Sequence, residues 1–169
     1  VGGGKYVSCP MNTAKTADSI ERVGVVGCGQ MGAGIAEVCA RAGMNVLVQE
    51  VDAAAAERGR ARLLGSFDKA VARERMTPEE RDGTSALLNF TTDLGDMADR
   101  QLVIEAVIEE ERLKTEVFRT LDRVVESPDV ILASNTSSIP IMKLGIATQR
   151  PENVVGIHFF NPVPVLKLV

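Results

Sequence analysis

The chain has 169 residues, the size of one ordinary domain, and its 45% apolar content is enough to fill one core. Nineteen basic against twenty-three acidic residues leave a net charge of −4, which argues against a polyanionic partner such as nucleic acid. No apolar run approaches a membrane span and the start lacks a secretory signal pattern, so no membrane association is expected and the cytoplasm is the expected compartment.

Val1 to Ser19 is glycine-rich, then polar, with no period of either kind, and is expected to be a disordered leader; residues 20–169 form the one domain. Val23 to Val26 then run as a strand into Gly27, Cys28, Gly29, Gln30, Met31 and Gly32, with helical spacing following through Ile35, Val38, Cys39 and Ala42. Three glycines spaced G-x-G-x-x-G between a strand and a helix have distinct physical tasks. Gly27 permits the turn, Gly29 lets bare backbone approach a pyrophosphate, and Gly32 lets the helix lie close on its strand. The unpaired N–H groups and positive dipole end of the new helix then face an anion. A second strand, Val46 to Gln49, ends at Glu50, where an acid meets an adenosine ribose. A carboxylate accepts from two ribose hydroxyls and repels a 2′-phosphate, so the expected cofactor is NAD rather than NADP. Asp52, the competing acid, lies beyond the strand end and is expected to cap the next helix.

Cys9, Cys28 and Cys39 have neither disulfide-framework nor zinc spacing, so they read as small core fillers and no metal is expected. Cys28 also admits a sharper reading, a thiolate stabilised by the helix dipole.

Ala53 to Arg75 is a long helix by spacing at Leu63, Phe67, Ala70 and Val71. Thr77-Pro78-Glu79-Glu80 starts another with a capping box, ending near Leu88. Strands are expected over Asn89–Asp93, Gln101–Val107, Val130–Ser134 and Val154–Phe160, with helices over Glu109–Glu126 and around Ile141–Ala147. This alternation predicts an α/β fold, a doubly wound, mostly parallel sheet of Rossmann type. Such sheets bind ligands beyond the carboxyl ends of their strands, which selects the glycine loop, Glu50, the Glu109 region, Asn135 to Ser138, and His158 with Asn161. His158, the sole histidine, suits accepting a hydroxyl proton as hydride leaves an alcohol. Ser137 is placed to hold the alcohol oxygen or, equally on the residues alone, to cap the helical segment after it.

The stretches Gly27–Ala36, Val103–Glu109, Ala133–Ser138 and His158–Val163 together resemble the L-3-hydroxyacyl-CoA dehydrogenases, nearest to the bacterial 3-hydroxybutyryl-CoA enzymes. The resemblance runs from about Arg22 to Val169. It implies NAD-dependent oxidation of a 3-hydroxyacyl-CoA to the 3-ketoacyl-CoA in fatty-acid or butanoate metabolism, with His158 as general base. Ser137 would touch substrate and nicotinamide, while Asn161, Glu109 and Lys114 would lie along the cofactor. On the residues alone, Glu109 and Lys114 also read as an exposed charge pair opening a helix. CoA contacts would fall at Ser66 and Arg73, with Arg58, Arg60, Arg62 and Lys69 able to offer charge to its phosphates. In the family the next residue after Val169 is a glutamate that orients the histidine, followed by a helical half that closes the cleft and forms a homodimer; neither is present here. The chain alone is thus expected to bind cofactor with little turnover. The alternatives are a non-catalytic NAD(H)-binding module and a piece of a multifunctional fatty-acid oxidation protein.

Overall fold

The computed structural model describes residues 20–166 and 169, so the expected leader over 1–19, with Cys9, lies outside the described residues. Six strands form one sheet: β1 (Arg22–Val26), β2 (Asn45–Gln49), β3 (Leu88–Thr91), β4 (Leu102–Glu105), β5 (Ile131–Ser134) and β6 (Val154–Gly156). Their order is β3-β2-β1-β4-β5-β6 and every neighbouring pair is parallel, the Rossmann arrangement. Between the strands lie helices α1 (Gln30–Arg41), α2 (Ala53–Ala72), α3 (Pro78–Ala86), α4 (Glu111–Val124) and α5 (Ile141–Gly145), with single 3-10 turns at Leu94–Met97 and Pro151–Asn153.

The period of two along each strand divides the core between the faces of the sheet. Val23, Val25, Val46, Val48 and Ile104 pack with Ile35, Leu63 and Phe67 from α1 and α2. Val26, Val103 and Leu132 pack with Phe118 and Leu121 from α4 and with Met97. On β1 this second face includes Gly24, where an added Cβ would lie 2.5 Å from the Met97 sulfur; the missing side chain is the room that the methionine fills.

Helix ends follow local chemistry. Asp52 caps α2, its Oδ1 accepting from the Ala55 amide at 2.6 Å, as expected. The helix stops three residues short of the expected Arg75, because Glu74 turns to φ 54° and the Arg75 and Glu74 amides fold back on the Ala70 and Val71 carbonyls. The Thr77–Glu80 capping box forms in both directions, at 2.8 and 3.1 Å.

Three strands end earlier than expected. Asn89–Asp93 becomes Leu88–Thr91, and Gln101–Val107 ends at Glu105, where the Val107 amide turns to the Glu105 carboxylate. The last, expected through Phe160, pairs only with β5 and stops at Gly156 opposite Ser134, where β5 itself ends. The helix expected from Glu109 begins at Glu111, leaving Glu109 in the loop after β4.

Candidate functional site

The loop from β1 to α1 is shaped by side chains it lacks. Gly27 sits at φ 88°, and a Cβ there would press on the Ala106 backbone. At Gly32 a Cβ would stand 1.9 Å from the Gly27 carbonyl oxygen, so only glycine lets α1 begin so close to the turn. Gly29 is the reverse: nothing lies within 4 Å of its missing Cβ, and it caps α1 without a side chain. Open space over an uncapped helix start is the shape a pyrophosphate requires.

Glu50 follows the end of β2, one carboxylate oxygen accepting from the Cys28 amide at 2.5 Å and the other from the Val51 amide at 3.2 Å. Two anchored oxygens retain lone pairs for a pair of ribose hydroxyls. The residues therefore fit a dinucleotide. NAD bound here would supply a hydride acceptor, and the chain's own groups would hold it. Cys28 is no reactive thiol: it is buried against Gly59 of α2. Burial, reinforced by the Glu50 charge and only partly offset by Arg62, pushes its pKa up to about 11.

Across β1 lies an open cleft of about 390 Å³ lined by Met31, Glu109, Lys114, Asn135, Ser137, His158, Phe159 and Asn161, among others. It draws on the ends of β4, β5 and β6 and on the first turn of α1. Thus Glu109, Lys114, Ser137, His158 and Asn161 do come together, with Met31 from the glycine loop. His158 stands two residues beyond β6 rather than on it, in a segment fixed by the Ile157 amide on the Ser134 carbonyl and the Phe159 amide on Asn135 Oδ1, each at 3.0 Å. The exposed imidazole meets the Phe160 ring edge-on at 4.9 Å, and among the described residues no side chain hydrogen-bonds it. Asn161 accepts from Gln30 Nε2 at 3.2 Å. Further along the same segment, Val163 packs where Gly34 of α1 leaves room; a Cβ at Gly34 would lie 2.8 Å from it.

The serine-rich loop after β5 hangs on Glu109. One oxygen of that carboxylate accepts from the Thr136 hydroxyl, the Ser137 and Ser138 amides at 3.1 and 3.2 Å, and the Ser138 hydroxyl at 2.9 Å. Its other oxygen lies 3.2 Å from Lys114 Nζ. Partial burial pushes the Glu109 pKa up, but the hydrogen bonds from Thr136, Ser138 and Lys114, with the lysine's charge, outweigh it and bring the carboxyl down to about 2. Thr136 and Ser138 are thereby occupied, whereas the Ser137 hydroxyl has no partner among the described residues and lines both this cleft and an adjoining hollow, as His158 does. Ser137 does not cap α5: Pro140 precedes that helix, and the capping type of contact belongs to Thr136, whose hydroxyl accepts from the Ile139 amide at 3.0 Å.

Lys114 is no exposed helical charge. It is 1% exposed and bonded at 2.6 Å to Glu105, a carboxylate that sequence reasoning passes over as part of an apolar strand. A lone glutamate within the apolar run Leu102 to Val107 is the available signal.

Ser66 and Arg73 lie apart from this cleft, in a smaller groove of about 190 Å³ shared with Glu37, Arg41, Lys69, Arg75 and Pro164. Arg73 follows α2 as its C-cap. Of the basic residues expected nearby, Lys69 lines that groove. Arg60 is turned away over the Phe90 ring at 4.4 Å, and Arg62 donates to the Cys28 carbonyl at 2.6 Å. Among the described residues no cluster of histidine, cysteine or carboxylate side chains suits a metal, and no helix is long and apolar enough to cross a membrane.

Comparison with known proteins agrees with this geometry. The family model for the NAD-binding domain of 3-hydroxyacyl-CoA dehydrogenase matches residues 22–169. A 3-hydroxybutyryl-CoA dehydrogenase of Mycobacterium tuberculosis is 60% identical over 90% of this chain and 54% of its own length. The crystal structure of M. tuberculosis FadB2 superposes with a TM-score of 0.86 at 60% identity, over 87% of this chain and 52% of that one. That of (S)-3-hydroxybutyryl-CoA dehydrogenase PaaH1 from Ralstonia eutropha gives 0.84 at 40% identity, over 88% and 52%. The chain spans about half the length of these curated relatives. By family match, sheet order and glycine turn together, it belongs to the 3-hydroxyacyl-CoA dehydrogenase family, as the NAD-binding domain.

Proposed function

We propose that this domain serves an enzyme that oxidises 3-hydroxybutyryl-CoA to acetoacetyl-CoA, with NAD held along the β1 to β4 edge. The observation that carries the proposal is the meeting, at one cleft beside an uncapped glycine turn, of an imidazole and a serine hydroxyl that have no hydrogen-bond partner among the described residues. Glu50 holds the adenosine ribose, Gly27 to Gly32 face the pyrophosphate, and Glu109, Lys114 and Asn161 flank the nicotinamide end. Ser137 holds the alcohol oxygen, and His158 takes the hydroxyl proton on its ring nitrogen as the C3 hydride departs. Ser66 and Arg73 hold CoA, their groove supplying cationic side chains for its phosphates. The whole enzyme works in the cytoplasm, as a homodimer formed through a helical half beyond these residues, without nucleic acid or membrane partners.

The test is His158→Ala in the full enzyme, followed by acetoacetyl-CoA-dependent NADH oxidation and by NADH titration. Turnover falls about 100- to 10,000-fold, the range for loss of a general base, while NADH affinity stays within about threefold. Unchanged turnover would refute the assignment and favour a module that binds the dinucleotide without chemistry.

A further inference from the structure

Both walls of the cleft grow from loops rooted beside one side chain that lines none of it. Glu105, the last residue of β4, is 0% exposed. Its Oε1 accepts from the Val107 amide at 2.7 Å, at the root of the loop that carries Glu109, and from Lys114 Nζ at 2.6 Å. Its Oε2 accepts from the Ser134 hydroxyl at 2.6 Å, at the root of the loop that carries Ser137, and the Thr136 amide returns to that same hydroxyl at 3.3 Å. Lys114 in turn lies 3.2 Å from Glu109 and donates to the Val107 carbonyl at 3.3 Å. A buried ammonium thus stands between two carboxylates, one wholly enclosed and one at the cleft.

Such an arrangement is poorly explained as a source of stability. Taking two charges out of water costs about what their attraction returns, and apolar residues of the same volume fold as well. What an ion pair in fixed geometry does supply is position. Val107, Lys114, Ser134, Thr136 and Glu109 each have one place to go because Glu105 fills the space between them with two oxygens and a full negative charge.

We propose that Glu105 is a positioning residue for the site: by fixing Lys114 and the roots of both loops, it holds Glu109 under the serine loop and keeps the Ser137 hydroxyl facing the cleft. This rests on the dinucleotide reading above and assigns a role to a residue that would touch neither cofactor nor substrate. The selectivity of the loop follows from it. Thr136 and Ser138 are spent on Glu109, and the hydroxyl between them, without a partner among the described residues, is left for a ligand.

The experiment uses the full chain and the variants Glu105→Gln and Glu105→Asp, comparing NADH titrations with amide proton–nitrogen spectra recorded without ligand. In Glu105→Gln the Ser137 and Ser138 amide protons, drawn downfield by the Glu109 carboxylate, move upfield, while amides of β2, two places along the sheet from β4, and of α1 on its other face keep their positions. NADH affinity falls about tenfold, as when an orienting partner is removed from other charged sites. Glu105→Asp keeps the charge but withdraws it by one methylene, so it shows the same displacements to a smaller extent and loses affinity about threefold; it carries the test should the glutamine variant fail to fold. A structural role alone would disturb amides throughout the sheet or none at all. Serine amides and NADH affinity that match the unmodified chain, in either folded variant, overturn the inference and leave the dinucleotide reading standing. No NADH binding by the unmodified chain would sink both.

Discussion

The two halves of the sheet's carboxyl edge are built on opposite plans. Around β1 and β2 the site is mostly backbone, with the Glu50 carboxylate anchored to the turn, and its shape comes from missing side chains: Gly27 at positive φ, Gly32 against a carbonyl, Gly29 under open space. Around β4 to β6 it consists of side chains, with Glu105, Lys114, Glu109 and the hydroxyls of Thr136 and Ser138 in one connected network. At Gly27 and Gly32 the first half has no room for added volume. The second has space to spare but depends on charge. Steric sites fail all at once, whereas electrostatic ones fail by degrees.

Substitutions can break or sharpen that contrast. The largest effect belongs to Gly32→Ala, whose methyl meets a backbone oxygen at 1.9 Å and has no flexible neighbour to displace. It costs about 3 kcal/mol or more in urea-melt stability and abolishes NADH binding. Gly29→Ala separates the two roles of the same turn. With nothing within 4 Å, the methyl costs about 1 kcal/mol or less as a poorer helix cap, yet NADH affinity drops at least about tenfold because the methyl occupies the pyrophosphate's approach. If Gly29→Ala binds NADH normally, the anion does not sit there.

The charged half is probed by acid. Glu109 has a folded pKa of about 2 against an ordinary 4.5, so the stability it lends is fully present above about pH 4.5 and is lost as pH falls toward 2. Its side chain is 38% exposed, and solvent screening holds the contribution to about 1 kcal/mol. Glu109→Gln should therefore flatten the stability curve of urea melts between pH 4.5 and 2; the same slope in both proteins would contradict the network. Cys28 tests the glycine turn without any substitution. With its thiol raised to about 11 and enclosed by Gly59, alkylation by iodoacetamide near neutral pH is about 100-fold slower than for a free thiol.

The same division separates what is legible in the amino-acid sequence from what is not. Glycine conformation is a local matter, so G-x-G-x-x-G followed by Glu50 discloses the turn, the helix start and the acid, and the capping residues Asp52 and Thr77 are equally plain. Glu105 escapes because its partners stand 9 and 29 residues away, and only the sheet brings them together. Val154 to Phe160 has the composition of a strand, which would put His158 on it. The actual end is set by the length of β5, which no pattern within those seven residues records. Arg60 likewise has the spacing of a cationic face with Arg62 and Lys69, but Phe90 claims it.

The seat of Val163 on Gly34 joins what chemistry would otherwise keep separate. The segment bearing the imidazole is moored to the very helix that opens at the glycine turn, so the proposed proton acceptor and the proposed phosphate cradle share one keel. Any side chain at position 34 would tilt that keel, shifting the imidazole against the glycine turn while touching neither of them.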